Sequence, residues 1–238
     1  MPIYSKDSSK PYKLSRTRIE NFCSCKKCFY LEERLGISRP RQFPFNLNNA
    51  VDELLKNEFD QFRGTDTNHP LIEEYGIEAK PFDHPDVEDW RTRNKGIGFL
   101  KEDLNLYFYG LVDDVWISTI NEKIILVDYK ATSKKGEVSL DAPWQISYKR
   151  QIEIYQWLFK KNGFDVEDIA YFVYCNGVAD KKDFNNILEF KTKIISYKGS
   201  TDWIDPVTRE IKKILESDTI PEANPNCEYC RYITKANL

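Results

Sequence analysis

Two mostly apolar runs, Leu104–Ile117 and Lys123–Thr132, stand out along the chain because they are rich in β-branched and aromatic residues. A polar turn around Asn121 and Glu122 separates them. Apolar runs of this composition, joined by a short polar turn, are typical of a β-hairpin. The sequence therefore predicts two adjacent strands here, and the charged positions inside them are the first candidates for function.

Charged residues interrupt both predicted strands. A period of two places Asp128 and Lys130 on the same face of the second strand, while Asp113 and Asp114 fall on opposite faces of the first. Only one of those two acids need therefore join Asp128 and Lys130. Such charges are costly to bury without a partner. Because the set is rich in carboxylate oxygen, the partner that suits it best is a hard divalent cation, Mg²⁺ or Mn²⁺.

The remaining elements are predicted from apolar periodicity and from helix start and stop signals. Residues 1 to about 14 are a polar lead-in, and helices are expected from Ser15 or Thr17 to Leu35, with Gly36 at the end, and over Leu47–Phe62, Pro143–Lys161 and Asp202–Ser217. Two further strands are expected over Asp168–Cys175 and Ile187–Tyr197. The order helix, hairpin, helix, strand, strand, helix predicts an α/β fold on a mixed central sheet.

Both histidines precede prolines in the segment Thr65–Gly98, which prolines interrupt repeatedly. Proline restricts the residue before it to extended or turn conformations. We therefore expect His69 and His84 to be turn residues and not catalysts.

Three residues on predicted helices are further candidates. Asp52 lies at the edge of an apolar stripe, where it is either a solvated flanking acid or a ligand directed at the hairpin acids. Gln151 and Tyr155 are four residues apart on one helix, so they share a face and can act on one ligand. The spacing alone favours the alternative, a surface glutamine and a core tyrosine.

Composition limits the class of protein. The chain has 238 residues, 41% of them hydrophobic and 31% charged, which is typical of a globular protein with one substantial core or at most two small domains. No apolar run approaches the length of a membrane span, and the start lacks the apolar core of a signal peptide, so we expect a cytoplasmic protein without a membrane partner. The net charge is −3, but ten basic and only four acidic residues lie between Lys6 and Arg41. This uneven charge allows a local path for nucleic acid.

Four short motifs occur in a consistent order. Gly110-Leu-Val-Asp113 lies on the first predicted strand, Asp128-Tyr-Lys130 on the second and Gln151-x-x-x-Tyr155 on the following helix, while Cys25-x-x-Cys28-Phe-Tyr lies near the start. In this combination the chain resembles the PD-(D/E)XK nuclease superfamily, specifically its RecB-like branch, which includes the CRISPR adaptation exonucleases. The resemblance extends from about residue 15 to residue 230.

The resemblance implies a fold, a reaction and a set of site residues. The implied fold is a restriction-endonuclease-like core, with a mixed central sheet flanked by helices, in a single nuclease domain over residues 1–238. The implied catalytic residues are Asp113, Asp128, Lys130, Gln151 and Tyr155, and the implied ligands of Mg²⁺ or Mn²⁺ are Asp52, Asp113, Asp128 and the backbone carbonyl of Tyr129. The branch usually has a metal-binding histidine at the position of Asp52, which a carboxylate can replace on these ions.

The cysteines imply a second metal. Relatives with a four-iron cluster use one N-terminal and three C-terminal cysteines, whereas this chain has two pairs, Cys25-x-x-Cys28 and Cys227-x-x-Cys230. The resemblance implies a 4Fe–4S cluster, with Cys23 as a substitute ligand, while the two pairs equally suit a structural Zn²⁺. Unliganded thiols are the remaining, weaker alternative. Either metal would join the terminal segments 15–36 and 221–232. Cys175 lies in an apolar strand and is expected to be a small buried hydrophobic residue.

The leading hypothesis is therefore a divalent-metal-dependent deoxyribonuclease, an exonuclease acting in DNA repair, recombination or related processing. Phosphate contacts are expected from the basic N-terminal segment and from Lys134, Lys135, Lys149 and Arg150. Any helicase partner would be a separate chain. The alternatives are an inactive DNA-binding or assembly subunit that keeps the fold, and a zinc-containing interaction protein whose hairpin acids are solvated.

Overall fold

A computed structural model describes residues 3–40 and 45–236 of the protein. Arg41, the last basic residue counted above, lies outside these ranges. The chain divides into two compact units: the first comprises the described parts of 1–43, 98–110 and 201–238, and the second those of 44–97 and 111–200. The single domain expected over residues 1–238 stays a prediction. Within the described ranges, no helix is both long and apolar enough to cross a membrane.

The described part of the first unit contains a three-stranded sheet and four α-helices. Its strands are β1 (Tyr12–Ser15), β3 (Ile97–Lys101) and β4 (Leu106–Gly110), in the order β1-β4-β3. Its helices are α1 (Arg16–Ser24), α2 (Lys26–Leu35), α7 (Ile204–Glu216) and α8 (Glu228–Ala236). The predicted polar lead-in was wrong for residues 12–14, because β1 pairs in parallel with residues 106–109. A lone strand this short has no periodicity of its own and is specified by its partner.

The first predicted helix is two helices. Cys25 separates α1 from α2 because its backbone is extended, with φ −164° and ψ 108°. The predicted ends are confirmed: the Ser15 side chain accepts a hydrogen bond from the Arg18 N–H at 3.4 Å, and Gly36 ends α2 at φ 70°. The break turns the chain at the first cysteine pair, which a continuous helix would not do.

The second unit contains the mixed sheet that the sequence predicts. Its strands are β2 (Ala79–Pro81), β5 (Asp114–Ser118), β6 (Ile124–Thr132), β7 (Ile169–Gly177) and β8 (Phe190–Lys198), in the order β2-β5-β6-β7-β8. Only β6 and β7 pair in parallel, and the other neighbours are antiparallel. Its helices are α3 (Asn46–Asp60), α4 (Pro70–Glu74), α5 (Val87–Arg91) and α6 (Ile146–Lys161), the last preceded by a 3₁₀ turn over Pro143–Gln145.

Strand β6 contributes to two different layers. Val127 and Tyr129 pack in one apolar cluster with Phe59 of α3. Asp128 points the other way and contacts Gln151 of α6. The predicted alternation is therefore confirmed, and it places the charged face of β6 under α6.

The predicted hairpin is confirmed, but its first strand is shorter than expected. The run Leu104–Ile117 divides between β4 in one sheet and β5 in the other, and residues 111–113 between them are not in a strand. Val112 instead donates to the Trp90 carbonyl at 3.2 Å. Asp113 therefore precedes the strand, where its carboxylate can turn toward β6.

The segment 65–98 is more ordered than its prolines suggest, since it forms α4, β2 and α5. His69 caps α4, because its Nδ1 accepts from the Leu71 N–H at 3.1 Å, and its buried ring stacks on Phe59 at 3.8 Å. His84 Nδ1 accepts from the Asp86 N–H at 3.2 Å. Both histidines thus have the turn role expected of them.

Candidate active site and cysteine centre

The neighbouring acids Asp113 and Asp114 have different surroundings. Asp114 is 0% exposed, and its carboxylate accepts hydrogen bonds from Arg63 at 2.7 Å, Arg91 at 2.6 Å and the Tyr129 hydroxyl at 2.7 Å. Burial alone would raise the pKa of Asp114, but the two arginines hold it below its usual value. Its lone pairs are thus occupied within the fold, so Asp114 is a structural acid.

Asp113 faces the charged side of the site. Its Oδ2 accepts from the Tyr129 N–H at 2.9 Å. Burial and the Asp128 carboxylate together raise the pKa of Asp113 to about 6. A carboxylate whose pKa is raised by burial and by a second carboxylate lacks a sufficient counter-charge, which is the electrostatic environment that a cation stabilises.

Asp128 is the centre of the group. It is 0% exposed, its Oδ1 accepts from the Gln151 Nε2 at 2.7 Å, and its Oδ2 forms an ion pair with Lys130. Within the described ranges, Oδ2 has no hydrogen bond that meets normal geometry. Gln151 Nε2 also lies 3.2 Å from the Tyr155 hydroxyl, so Gln151 links Tyr155 to Asp128. The structure thus brings Asp113, Asp128, Lys130, Gln151 and Tyr155 together.

Lys130 completes this group from the end of β6. Burial opposes its charge, yet Asp128 and Asp113 raise the pKa of Lys130 above its usual value. The lysine is therefore protonated at neutral pH. Its Nζ lies 4.6 Å from the centroid of the Tyr148 ring on α6.

Asp52 approaches the group from α3. Its carboxylate accepts from the Lys56 Nζ at 2.7 Å, and burial together with Asp113 raises the pKa of Asp52. Asp52 is therefore neither fully solvated nor in direct contact with Asp128 in this structure. Lys56 was missed by the sequence analysis, although its spacing of four residues from Asp52 on one helix was a usable signal.

These residues fit a divalent cation. Buried carboxylate oxygens with an incomplete set of hydrogen bonds are donors that Mg²⁺ and Mn²⁺ favour. Asp113 and Asp128 could hold such an ion, and Asp52 could join them by leaving Lys56. The Tyr129 N–H donates to Asp113 and its hydroxyl donates to Asp114, while a ligand role for its carbonyl stays a prediction.

Four cysteines form a separate cluster in the first unit. The distances between sulfur atoms are 3.5 Å for Cys28–Cys227 and Cys28–Cys230 and 3.8 Å for Cys25–Cys230, and all four sulfurs lie within 4.8 Å of one another. The Asn224 N–H donates to the Cys25 sulfur at 3.5 Å. The structure therefore brings the two predicted pairs together as one possible metal centre.

The other two cysteines lie outside this cluster. Cys23 is partly exposed on α1. Cys175 is buried in the second unit, where its sulfur lies 3.6 Å from the Thr192 hydroxyl, as expected of a small buried residue.

Arg39 lies beside the cysteine cluster. Its guanidinium hydrogen-bonds to Cys28 and lies 4.9 Å from the centroid of the Tyr229 ring. A fixed positive charge here offsets the negative charge of thiolates bound to a metal. The sequence analysis missed this residue, because nothing local distinguishes Arg39 from its basic neighbours.

A basic cavity of about 840 Å³ lies in the second unit, beyond the end of β6. Four of its lining residues are lysines: Lys134, Lys135, Lys191 and Lys193. The first two are among the predicted phosphate contacts. Lys193 is paired with Glu137 at 3.1 Å, so the charge of the cavity is partly balanced.

Comparison with known proteins shows a family that matches most of the chain. The family described as the PD-(D/E)XK nuclease superfamily matches residues 46–234. No curated protein matches at a significant level. One solved structure, titled "Crystal structure of SSO0001", is similar with 15% sequence identity, 98% coverage of this chain, 87% coverage of that chain and a TM-score of 0.42. That likeness is too weak to carry an argument about function.

Proposed function

The chain belongs to the PD-(D/E)XK nuclease superfamily, and on this premise we propose that it is a divalent-metal-dependent deoxyribonuclease of the RecB-like branch. The observation that carries the proposal is the buried Asp128 carboxylate, held between Lys130 and Gln151 and facing Asp113. Buried carboxylates beside a protonated lysine are suited to phosphodiester hydrolysis. We further propose exonuclease action in DNA repair or recombination, which rests on resemblance alone.

Each residue has a separate role in this proposal. Asp113 and Asp128 would hold the ion, which when bound polarises the scissile phosphate and lowers the pKa of the attacking water. Lys130 would orient that water and offset charge that builds on the phosphate oxygens. Gln151 keeps Asp128 in one orientation, and Tyr155 buttresses Gln151.

The test compares wild-type protein with Lys130→Ala on end-labelled single- and double-stranded DNA in Mn²⁺. We expect the variant to lose at least about 100-fold in cleavage rate, because a charge aimed at the reacting phosphate is removed. The matched control is Lys160→Ala, since Lys160 lies on α6 but pairs with Asp168 on the surface. Cleavage by Lys130→Ala at the wild-type rate would refute the assignment.

One observation favours a second candidate, an inactive DNA-binding or assembly subunit. Asp52 replaces the usual histidine and is paired with Lys56, so the third ligand of the proposed ion is already engaged. Calorimetric titration with Mn²⁺ separates the candidates. An active enzyme binds Mn²⁺ and loses affinity in Asp52→Asn, whereas the inactive subunit shows no binding heat with either protein.

We also propose that the cysteine centre binds a single Zn²⁺ and not the 4Fe–4S cluster implied by the resemblance. Tetrahedral Zn²⁺ at about 2.3 Å from each sulfur requires sulfur atoms roughly 3.8 Å apart. Three of the sulfur pairs here, at 3.5–3.8 Å, suit that requirement. A four-iron cluster binds each cysteine to a different iron and therefore needs wider spacing.

Metal analysis tests the zinc proposal. Protein produced anaerobically with an iron–sulfur assembly system is expected to contain one zinc per chain and to lack the broad visible absorption of a cluster. Cys230→Ser should lose the zinc, while Cys23→Ser should keep it. Four irons per chain, or no metal with four titratable thiols, would overturn the proposal.

A further inference from the structure

Trp144 presents its ring to solvent at the start of α6. Its side chain is 61% exposed, although the next residue, Gln145, is buried. One exposed aromatic ring is common on protein surfaces and by itself marks nothing. What distinguishes Trp144 is its connection to the candidate active site.

The aromatic rings of Tyr148 and Trp144 lie between Lys130 and the protein surface. The Lys130 Nζ lies 4.6 Å from the centroid of the Tyr148 ring, and that ring meets Trp144 edge to face, with centroids 5.3 Å apart and planes at 87°. Trp144 is therefore within the length of a few nucleotides of a phosphate held at Lys130. Because Tyr148 packs edge to face with Trp144, it supports the indole.

The backbone that carries Trp144 is held in place. The buried Gln145 side chain accepts from the Ala142 N–H at 2.8 Å and donates to the Ser139 carbonyl at 2.6 Å. The Ser147 hydroxyl donates to the Trp144 carbonyl at 3.0 Å. A ring that is carried on a fixed backbone and packed against Tyr148 loses little conformational entropy when a ligand stacks on it.

We propose that Trp144, supported by Tyr148, stacks on an unpaired base of the DNA strand whose phosphate lies at Lys130. The inference rests on the proposed function and adds a substrate class to it. Bases inside a duplex are covered on both faces by their neighbours, so only a single strand or a frayed end offers a free face. Every base has a π-face, so stacking on Trp144 does not select a sequence. The site is therefore expected to prefer unpaired DNA over duplex DNA, whatever its sequence.

The test measures binding in EDTA, so that no cleavage occurs. Wild-type, Trp144→Ala and Trp144→Phe proteins are titrated with a labelled single-stranded oligonucleotide and with a dumbbell duplex closed at both ends. We expect Trp144→Ala to bind the single strand about 5-fold to 150-fold more weakly, as loss of one base–aromatic stack predicts. Its affinity for the dumbbell should stay within about twofold, and Trp144→Phe should keep most of the wild-type affinity.

The control is Tyr232→Ala, because Tyr232 is 75% exposed on α8 and takes no part in the proposed site. It should bind both DNAs as the wild type does. Equal single-strand affinity of Trp144→Ala and wild type would overturn the inference, as would equal losses on both DNAs or no single-strand binding by the wild type. This binding test does not depend on cleavage. A protein that shows the expected binding pattern but cleaves no DNA in a separate assay would contradict the proposed function and not the stacking inference.

Discussion

Two adjacent aspartates show how neighbours along the chain can have separate roles. Asp114 is surrounded by two arginines and a tyrosine hydroxyl, while Asp113 faces Asp128. The first arrangement satisfies a carboxylate within the fold, and the second leaves excess negative charge. We therefore expect Asp114 to stabilise the second unit and Asp113 to reduce its stability until a cation binds.

Asp114→Asn is expected to destabilise the protein by about 1.5–3 kcal/mol at neutral pH, because the buried Arg63 and Arg91 lose their hydrogen bonds to a charged acceptor and keep only Asp60 as a shared acidic partner. Since the folded-state pKa of Asp114 is lowered, its contribution is complete above about pH 4 and is lost as the pH falls through that lowered value. Urea unfolding at several pH values measures the difference. Asp165→Asn, at an exposed ion pair, should change stability by less than about 0.5 kcal/mol, and a similarly small effect at Asp114 would contradict the structural role.

Asp113→Asn is expected to have the opposite effect when metal is absent. The folded-state pKa of about 6 lies above the ordinary aspartate value, so stability is lost as the pH rises from about 4 through 6. Removing the charge should stabilise the protein at neutral pH by roughly 1–2 kcal/mol. This is less than the free energy that corresponds to the full pKa shift, because Asp113 is partly exposed and solvent screens its charge. Thermal unfolding in EDTA tests this. A variant that is less stable than the wild type at pH 7 would show that Asp113 has a satisfied partner.

The secondary structure shows which features could be read from the sequence. The hairpin β5–β6, the helix α6 and the mixed sheet were predictable, because alternation and helical periodicity extend over many residues there. The same periods placed Asp128 and Lys130 on one face of β6 and Gln151 and Tyr155 on one face of α6. The distance of 2.7 Å from Gln151 to Asp128 then follows from packing one face on the other, whereas the 3.2 Å from Gln151 to Tyr155 follows from their spacing of four residues on one helix.

Features that depend on distant partners could not be predicted. Strand β1 exists only because it pairs with β4, and the turn at Cys25 follows no local helix-breaking signal. Arg63 and Arg91 are 51 and 23 residues from Asp114 along the chain, so no local pattern indicates which acid they neutralise. The choice between Asp113 and Asp114 therefore required the tertiary contacts or the family resemblance.

A substitution on helix α6 can test whether the orientation of the Asp128 carboxylate affects metal binding when the metal ligands themselves are unchanged. Gln151→Leu keeps the size of the side chain but removes the hydrogen bond to Asp128 Oδ1. Loss of such an outer partner typically weakens metal binding by about 10- to 100-fold, and we expect that decrease in Mn²⁺ affinity by calorimetry. Gln156→Leu is the matched control, because Gln156 is buried on the same helix but donates to the carbonyls of Glu167 and Asp168. Equal Mn²⁺ affinity in Gln151→Leu and wild type would mean that the hydrogen bond from Gln151 does not contribute to metal binding by Asp128.

The cysteine centre joins parts of the chain that are far apart in sequence. Cys28 and Cys227, which lie 3.5 Å apart in space, are separated by 199 residues. Closing so long a loop is entropically costly in the unfolded chain, and a bound metal removes much of that freedom. The first unit is built from three separate chain segments, so it depends on such closure more than the second unit does.

Removal of the metal should therefore affect the first unit selectively. We expect Cys230→Ser to speed hydrogen exchange in α1, α2 and α8 by at least about 10-fold, which corresponds to a loss of roughly 1.4 kcal/mol in opening free energy. Exchange in β5, β6 and β7 should stay within about threefold of wild type, because these strands have their own core around Phe59 and Tyr129. The control is Cys23→Ser, because Cys23 lies on α1 but outside the cysteine cluster. This variant should leave all of these exchange rates unchanged. Uniform acceleration of exchange across both units would mean that the cysteine centre stabilises the whole protein cooperatively. Unchanged exchange in α1, α2 and α8 would mean that the four thiols hold no structural metal.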